Sequence, residues 1–362
     1  MQRDRKCVLL SEWPARDQEL WARGTSPAGL FEQRHAGSDW SHPTRRKVQN
    51  GYGRWLRWQQ VDGNADFSAA PADRVGHDVV DRYITDLSAH CAPYTVANRI
   101  QELYDAMRVM APERDWSWLC ALYGRLYARA EPVTDKRSRL HFSSELSELG
   151  RDLMGEVEWN DDLGEKERAL QYRDGLIVAL LAHRPFRTRN FATIRIGTHI
   201  LPAGNSFVVR FDAAEMKGRR AEEVAFPSVL LPFLRRYLDH YRTILLTLQN
   251  GKQPPSTDAL WISLRGQPLS HRSLANPVNK RTRAKFGESL PPHWFRHAAG
   301  TMIAIEASKD VADAQHILGH ANPGTTAAYY NLARTLDAAH RFHQVVDQLL
   351  AEPEGKHRPG AA

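Results

Sequence analysis

Apolar positions along the first 130 residues recur at helical spacing, in stretches separated by polar breaks carrying Gly or Pro. Val48, Tyr52, Trp55 and Gln59 form one stripe, with Leu56 beside it, in a helix that begins at Ser41. Val80, Tyr83, Ile84 and Leu87 keep the same spacing, as do Val96, Ile100, Leu103 and Met107. Leu119, Leu122, Tyr123 and Leu126 mark a fourth helix over 116–130. Together they predict a compact helical domain over 41–130. Residues 1–40 show no sustained period and contain Gly24-Thr-Ser-Pro-Ala-Gly29, so an irregular lead-in is expected there.

The polar stretch at 131–138 reads as a linker. Beyond it, residues 139–350 are mostly helical with one β interruption. Thr193-Ile-Arg-Ile196, Ser206-Phe-Val-Val-Arg-Phe211 and Glu223-Val-Ala-Phe226 read as three short strands, the first two split by the turn signal Pro202-Ala-Gly-Asn205. One helix is expected over 227–248, with Leu230, Leu234, Tyr237, Tyr241 and Leu245 inward. Further helices are expected at 270–286, 293–307, 310–318, 325–332 and 335–350, then a polar tail at 351–362. The fold class is therefore mostly α with a small antiparallel β-sheet, in two domains.

Charge adds a partner to this picture. Lys plus Arg total 49 against 42 acidic residues, a formal +7, and 39 of the 49 are Arg. A guanidinium fork grips phosphate oxygens bidentately, which an ammonium cannot do. Arg45, Arg46, Lys47, Arg54 and Arg57 crowd the first basic helix and are candidate phosphate contacts. The longest strongly apolar stretch, 175–182, is far shorter than the roughly 20 residues that span a bilayer, so no membrane partner is expected. Three widely spaced cysteines (Cys7, Cys91, Cys120) suggest neither a disulfide framework nor a zinc site.

Candidate chemistry lies in an ordered set of motifs. Arg187 follows an apolar helix and leads into Ile194. Lys217 sits in the turn between the second and third expected strands. His293-Trp-Phe-Arg296 places two polar side chains three apart, on one helical face. His293-x-x-Arg296 alone is weak, since His42 and Arg45 share the spacing. Downstream come Ile317-Leu-Gly-His320 and, nine residues past that histidine, Tyr329 within Thr325-Thr-Ala-Ala-Tyr-Tyr330.

In order and spacing this set resembles the tyrosine recombinase (phage integrase) family, over about 140–335, and the module at 41–130 resembles that family's core-binding domain. The resemblance implies a C-shaped DNA clamp. It also implies a site-specific recombinase or integrase that cleaves and rejoins DNA through a covalent 3′-phosphotyrosyl intermediate. By the same resemblance Arg187 and Arg296 bind the scissile phosphate, His293 is the base and Lys217 the acid, His320 hydrogen-bonds the phosphate, and Tyr329 is the nucleophile. One departure is visible: the family's first block usually reads Gly-Leu-Arg-x-x-Glu, and here it is Pro185-Phe-Arg-Thr-Arg-Asn190, with Asn190 in place of the acid and Arg189 a second candidate cation.

Two guanidiniums can neutralise the charge that builds on phosphorane oxygens, so no metal and no cofactor are expected. The implied partners are double-stranded DNA and further copies of the chain, as a tetramer on DNA, in the cytoplasm with the nucleoid. The tail helix at 335–350 is expected to dock on a neighbouring protomer. Two rival readings are a type IB topoisomerase-like relaxing enzyme and a DNA-binding module with vestigial chemistry.

Overall fold

A computed structural model describes residues 7–27, 34–133, 141–216, 219–247 and 256–306, with side chains through Met302. The chain divides into two units, Met1–Asp135 and Lys136–Ala362.

The first unit contains α1 (Ala15–Thr25), α2 (His42–Asp62), α3 (His77–Ser88), α4 (Pro93–Met110) and α5 (Ser117–Arg129). Helix α2 starts where the Ser41 hydroxyl accepts the Thr44 N–H, with Pro43 in its first turn, and stops at Gly63 in the left-handed region. Val48, Tyr52, Trp55 and Leu56 are all buried in the unit's core, with Val80, Tyr83, Ile100 and Leu103.

Residues 1–40 are not an irregular lead-in. Among the described ones, a 3₁₀ turn at Leu10–Glu12 and helix α1 belong to the same core. Trp13 meets Trp21 and Tyr52 edge-on, at centroid distances of 5.7 and 4.8 Å. Asp17 on α1 is fully buried. Its two carboxylate oxygens accept from Arg74 Nη2 at 2.6 and 2.5 Å, and one also accepts from the Tyr52 hydroxyl at 2.8 Å. Burial pushes the Tyr52 hydroxyl well above its ordinary pKa, so it stays a donor. The helix escaped the periodicity because its buried positions include Asp17, Gly24 and Thr25, which break the apolar stripe.

The second unit contains α6 (Ser143–Trp159), α7 (Glu165–His183), α8 (Thr188–Ala192), β1 (Ile200–Ala203), β2 (Ser206–Phe211), β3 (Glu222–Ala225), α9 (Leu231–Arg236), α10 (Arg242–Thr247), α11 (Ala275–Phe286) and α12 (Pro292–Glu306). Where one helix was expected over 227–248, a 3₁₀ turn, α9, a π turn at Tyr237–Tyr241 and α10 follow one another, still with Leu234, Tyr237, Tyr241 and Leu245 buried.

Helix α7 is buried on every face from Gln171 to Ala182, and over Gly175–Ala182 it is apolar all round. Helix α6 reaches it through paired glycines. A Cβ on Gly150 would lie 2.6 Å from the Gly175 carbonyl oxygen, and one on Gly175 would lie 2.7 Å from the Gly150 oxygen. Only glycine lets the two backbones approach so closely. The charged pair on α7 is matched inside: Asp174 accepts from Arg173 at 2.6 Å and from Arg281 of α11 at 3.1 Å.

The sheet has the order β1-β2-β3, all antiparallel. Its first strand is Ile200–Ala203 rather than Thr193–Ile196. Thr193 closes α8, and Ile194–Ile196 pairs mainly elsewhere: Ile196 N–H donates to Asp258 O at 2.7 Å, and Leu260 N–H donates to Ile194 O at 2.9 Å. Alternation and β-branching report extended backbone, and only the tertiary fold selects its partner. The third strand starts at Glu222, one residue before the expected Glu223. The helices expected at 310–318, 325–332 and 335–350, and the tail at 351–362, lie outside the described residues.

Candidate active site

Helix α7 ends at His183 because Pro185 cannot continue it and restricts the residue before it. Two residues on, Arg187 is the residue before α8, half-buried, while Arg189 is exposed. Phe186 between them and the helix anchors the turn, edge-on to Phe211 at 5.5 Å and tilted against Phe191 at 6.5 Å. The turn is therefore held by packing on both sheet and helix.

On α12, Trp294 and Phe295 are buried, which leaves His293, Arg296 and His297 on the opposite side of the helix. Arg296 is half-buried and its Nη1 donates to the Pro185 carbonyl. The second cation is thus tied to the backbone two residues before the first. His293 is exposed, one turn before Arg296, with its ring 6.2 Å from that of His297.

Asn190 does different work from an acid. Its Nδ2 donates to the Glu215 carbonyl at 3.4 Å and approaches Met216 Sδ at 3.0 Å. Glu215 in turn accepts from Asp212 N–H at 3.0 Å and lies 2.9 Å from His199 Nε2. His199 Nδ1 accepts the Arg195 N–H at 3.0 Å, so Nε2 carries the proton and donates to Glu215. That hydrogen bond, the largest cause, holds the Glu215 carboxyl below its ordinary pKa. The turn is braced in this way as far as Met216. Lys217, His320 and Tyr329 lie outside the described residues.

The basic residues of α2 divide. Arg46 and Lys47 are exposed. Arg45 is half-buried, and its Nη2 donates to the Thr25 carbonyl at 2.6 Å, closing the end of α1. Arg54 lies 3.9 Å from the buried Glu102, and Arg57 is half-buried beside Gln60. Sequence reasoning missed the roles of Asn190, Glu215 and His199, because no spacing rule connects an α8 residue to a hairpin turn.

Residues 160–335 match the model described as the phage integrase family. Tyrosine recombinase XerD of Staphylococcus haemolyticus is 27% identical over 165 residues, covering 45% of this chain and 52% of that protein. Tyrosine recombinase XerD of Ralstonia nicotianae is 31% identical over 186 residues, covering 49% and 53%. The chain spans about half the length of these curated relatives. Among solved structures, the XerH site-specific recombinase bound to palindromic difH substrate in a post-cleavage complex is similar, with a TM-score of 0.56 and 14% identity over 93% of this chain and 99% of that one. The Tn1549 transposon integrase in complex with circular intermediate DNA aligns at a TM-score of 0.50 and 16% identity, covering 86% and 94%. At such identities the likeness is one of fold. Residues 160–335, just under half of the chain, thus resemble the phage integrase family, and the curated tyrosine recombinases are similar over about half of their length.

Proposed function

We propose that this protein is a site-specific DNA recombinase that breaks and rejoins DNA through a covalent 3′-phosphotyrosyl intermediate. The observation that carries the reading is the attachment of Arg296 to the Pro185 carbonyl, which ties one half-buried guanidinium to the turn presenting another, Arg187. A pair of forked cations on one rigid turn suits the non-bridging oxygens of a phosphodiester. Each donor stabilises the phosphorane more than the ground state, because negative charge accumulates on those oxygens as the nucleophile arrives.

In this reading the Tyr329 hydroxyl attacks phosphorus in line and gives its proton to His293. The bond to the 5′-oxygen breaks, and Lys217 protonates that leaving oxygen. The phosphotyrosyl ester keeps the bond energy, and a 5′-hydroxyl from another strand reverses the step. His320 donates a further hydrogen bond to the phosphate. Arg46, Lys47, Arg54 and Arg57 neutralise backbone phosphates of the duplex, with a corresponding salt dependence. Strand exchange proceeds in a tetramer on two duplexes.

The test is a nicked suicide duplex built from the DNA flanking the coding sequence, in EDTA. A covalent adduct that survives denaturation, mapped to Tyr329 and lost in Tyr329→Phe, supports the reading. An adduct on Tyr330, or cleavage abolished by chelation and restored by Mg²⁺, overturns the mechanism.

A further inference from the structure

The sheet turns one carboxylate to its core face, beside the strand residue that packs on the arginine-bearing turn. In an antiparallel pair, residues directly opposite one another project to the same face. Glu222 is opposite Phe211, and Val224 is opposite Val209. Phe211 and Val209 are both fully buried in the unit's core. Glu222 therefore projects to the core face, at the end of its strand, whereas Glu223 is opposite Arg210 on the exposed face. Among the described strand residues, Glu222 is the acidic side chain on that inner face.

Its surroundings are cationic. Phe211, its cross-strand neighbour, packs edge-on against Phe186, which immediately precedes Arg187. Arg296 donates to Pro185 on the other side of Phe186. Burial pushes the Glu222 carboxyl above its ordinary pKa, and the charges of Arg187, Arg296 and then Arg184 pull it back. Three half-buried guanidiniums at one turn repel each other, and water only partly screens them there. A carboxylate near them lowers that repulsion. The residue three after Arg187 does not supply this charge, since Asn190 is neutral and is turned to the Glu215–Met216 backbone and sulfur.

We propose that Glu222 is a positioning residue for the phosphate site: from the core face of β3 it holds Arg187 and Arg296 in their binding orientation. The inference rests on the recombinase reading for its catalytic consequence, while its electrostatic part is tested without DNA. Glu222 touches no reacting atom and acts through the arginines.

The experiment uses the full chain and two readouts. On the suicide duplex, Glu222→Gln removes the charge and keeps the shape. Cleavage should slow about 10- to 100-fold, in line with a small misplacement of a catalytic group. Duplex affinity and thermal midpoint should stay at parental values. Glu222→Asp restores the charge and should recover most of the rate. A Gln variant within twofold of the parent, or an Asp variant as slow as Gln, overturns the proposal. Without DNA, the ¹⁵N Nε–Hε signals of Arg187 and Arg296, assigned by their loss in Arg187→Lys and Arg296→Lys, should move in Glu222→Gln and return in Glu222→Asp. Unmoved signals overturn it as well. If the parent forms no adduct, the recombinase reading fails, and the arginine signals still decide the role of Glu222.

Discussion

Arginine is used in opposite ways in the two units. In the first, Arg74 is buried and meets a single buried carboxylate, Asp17, through one nitrogen that donates to both oxygens. Charge is cancelled where it stands, and Tyr52 takes up a remaining lone pair. In the second, Arg184, Arg187 and Arg296 gather half-buried around one turn, with the half-buried Glu222 carboxylate opposing them. Arg74 is matched one to one with Asp17, while at the turn at Pro185 the charges of three guanidiniums act on one carboxylate, Glu222. Matched buried ions hold a fold together, and a locally unbalanced set at a surface recruits an anion.

The strongest way to break this comparison is to unmatch the first set. Asp17→Ala should destabilise the protein by about 3–5 kcal/mol, because it leaves the Arg74 guanidinium buried without its counter-charge. Denaturant melts check this, and a loss below about 1 kcal/mol would mean that Arg74 escapes to water.

Next in size is removal of either surplus cation. Arg187→Ala or Arg296→Ala should slow covalent cleavage by about 10²–10³, the cost of one preorganised donor to a developing oxyanion. Arg296→Ala should also lower stability by about 1.5–3 kcal/mol, through the lost bond to the Pro185 carbonyl, so melts are run beside the cleavage assay. Arg187→Ala that cleaves normally while Arg189→Ala does not would reverse the choice between these neighbours.

A smaller contrast lies within α2. Arg46→Ala and Lys47→Ala should each weaken binding to any duplex and lower the salt slope by about 1. Arg45→Ala should leave that slope unchanged and cost about 1.5–3 kcal/mol of stability, through its bond to the Thr25 carbonyl. Titrations at several salt concentrations, paired with melts, separate the two behaviours.

The smallest effect concerns pH. The Glu215 carboxyl is held below its ordinary value in the folded state, first by the His199 hydrogen bond. Its stabilisation is therefore fully present above the unfolded carboxylate pKa and is lost as pH falls through the lower, folded value. Glu215→Gln should flatten the thermal midpoint against pH on the acid side, with little change at neutrality. Parent and variant curves that stay parallel into acid would remove Glu215 from the bracing of the turn.

Much of this was legible along the chain, for identifiable reasons. The α2 stripe reads directly because each apolar position faces one core. Arg187, His293 and Arg296 stand out because their chemistry requires residue types at intervals that a helix or turn enforces. Helix α1 was illegible because its buried face carries Asp17, whose partner Arg74 lies 57 positions away. The stretch Ile194–Ile196 was legible as a short pairing segment but not as a partner of Asp258 and Leu260, and Thr193 belongs to the end of α8.

The helical stripes of α2 to α5, the strands β2 and β3 to within a residue, and the ordered motif that resembles the phage integrase family follow from local spacing or residue chemistry. Which charges cancel and which stay active was decided by tertiary structure. Moving β3 by one residue exchanges Glu222 for Glu223 on the inner face, because side chains alternate with a period of two. Asn190 reaches the turn before Lys217 only because α8 and the hairpin pack together. Electrostatic pairing depends on distance through space, and residues 35 to 111 positions apart meet here only after the core has formed.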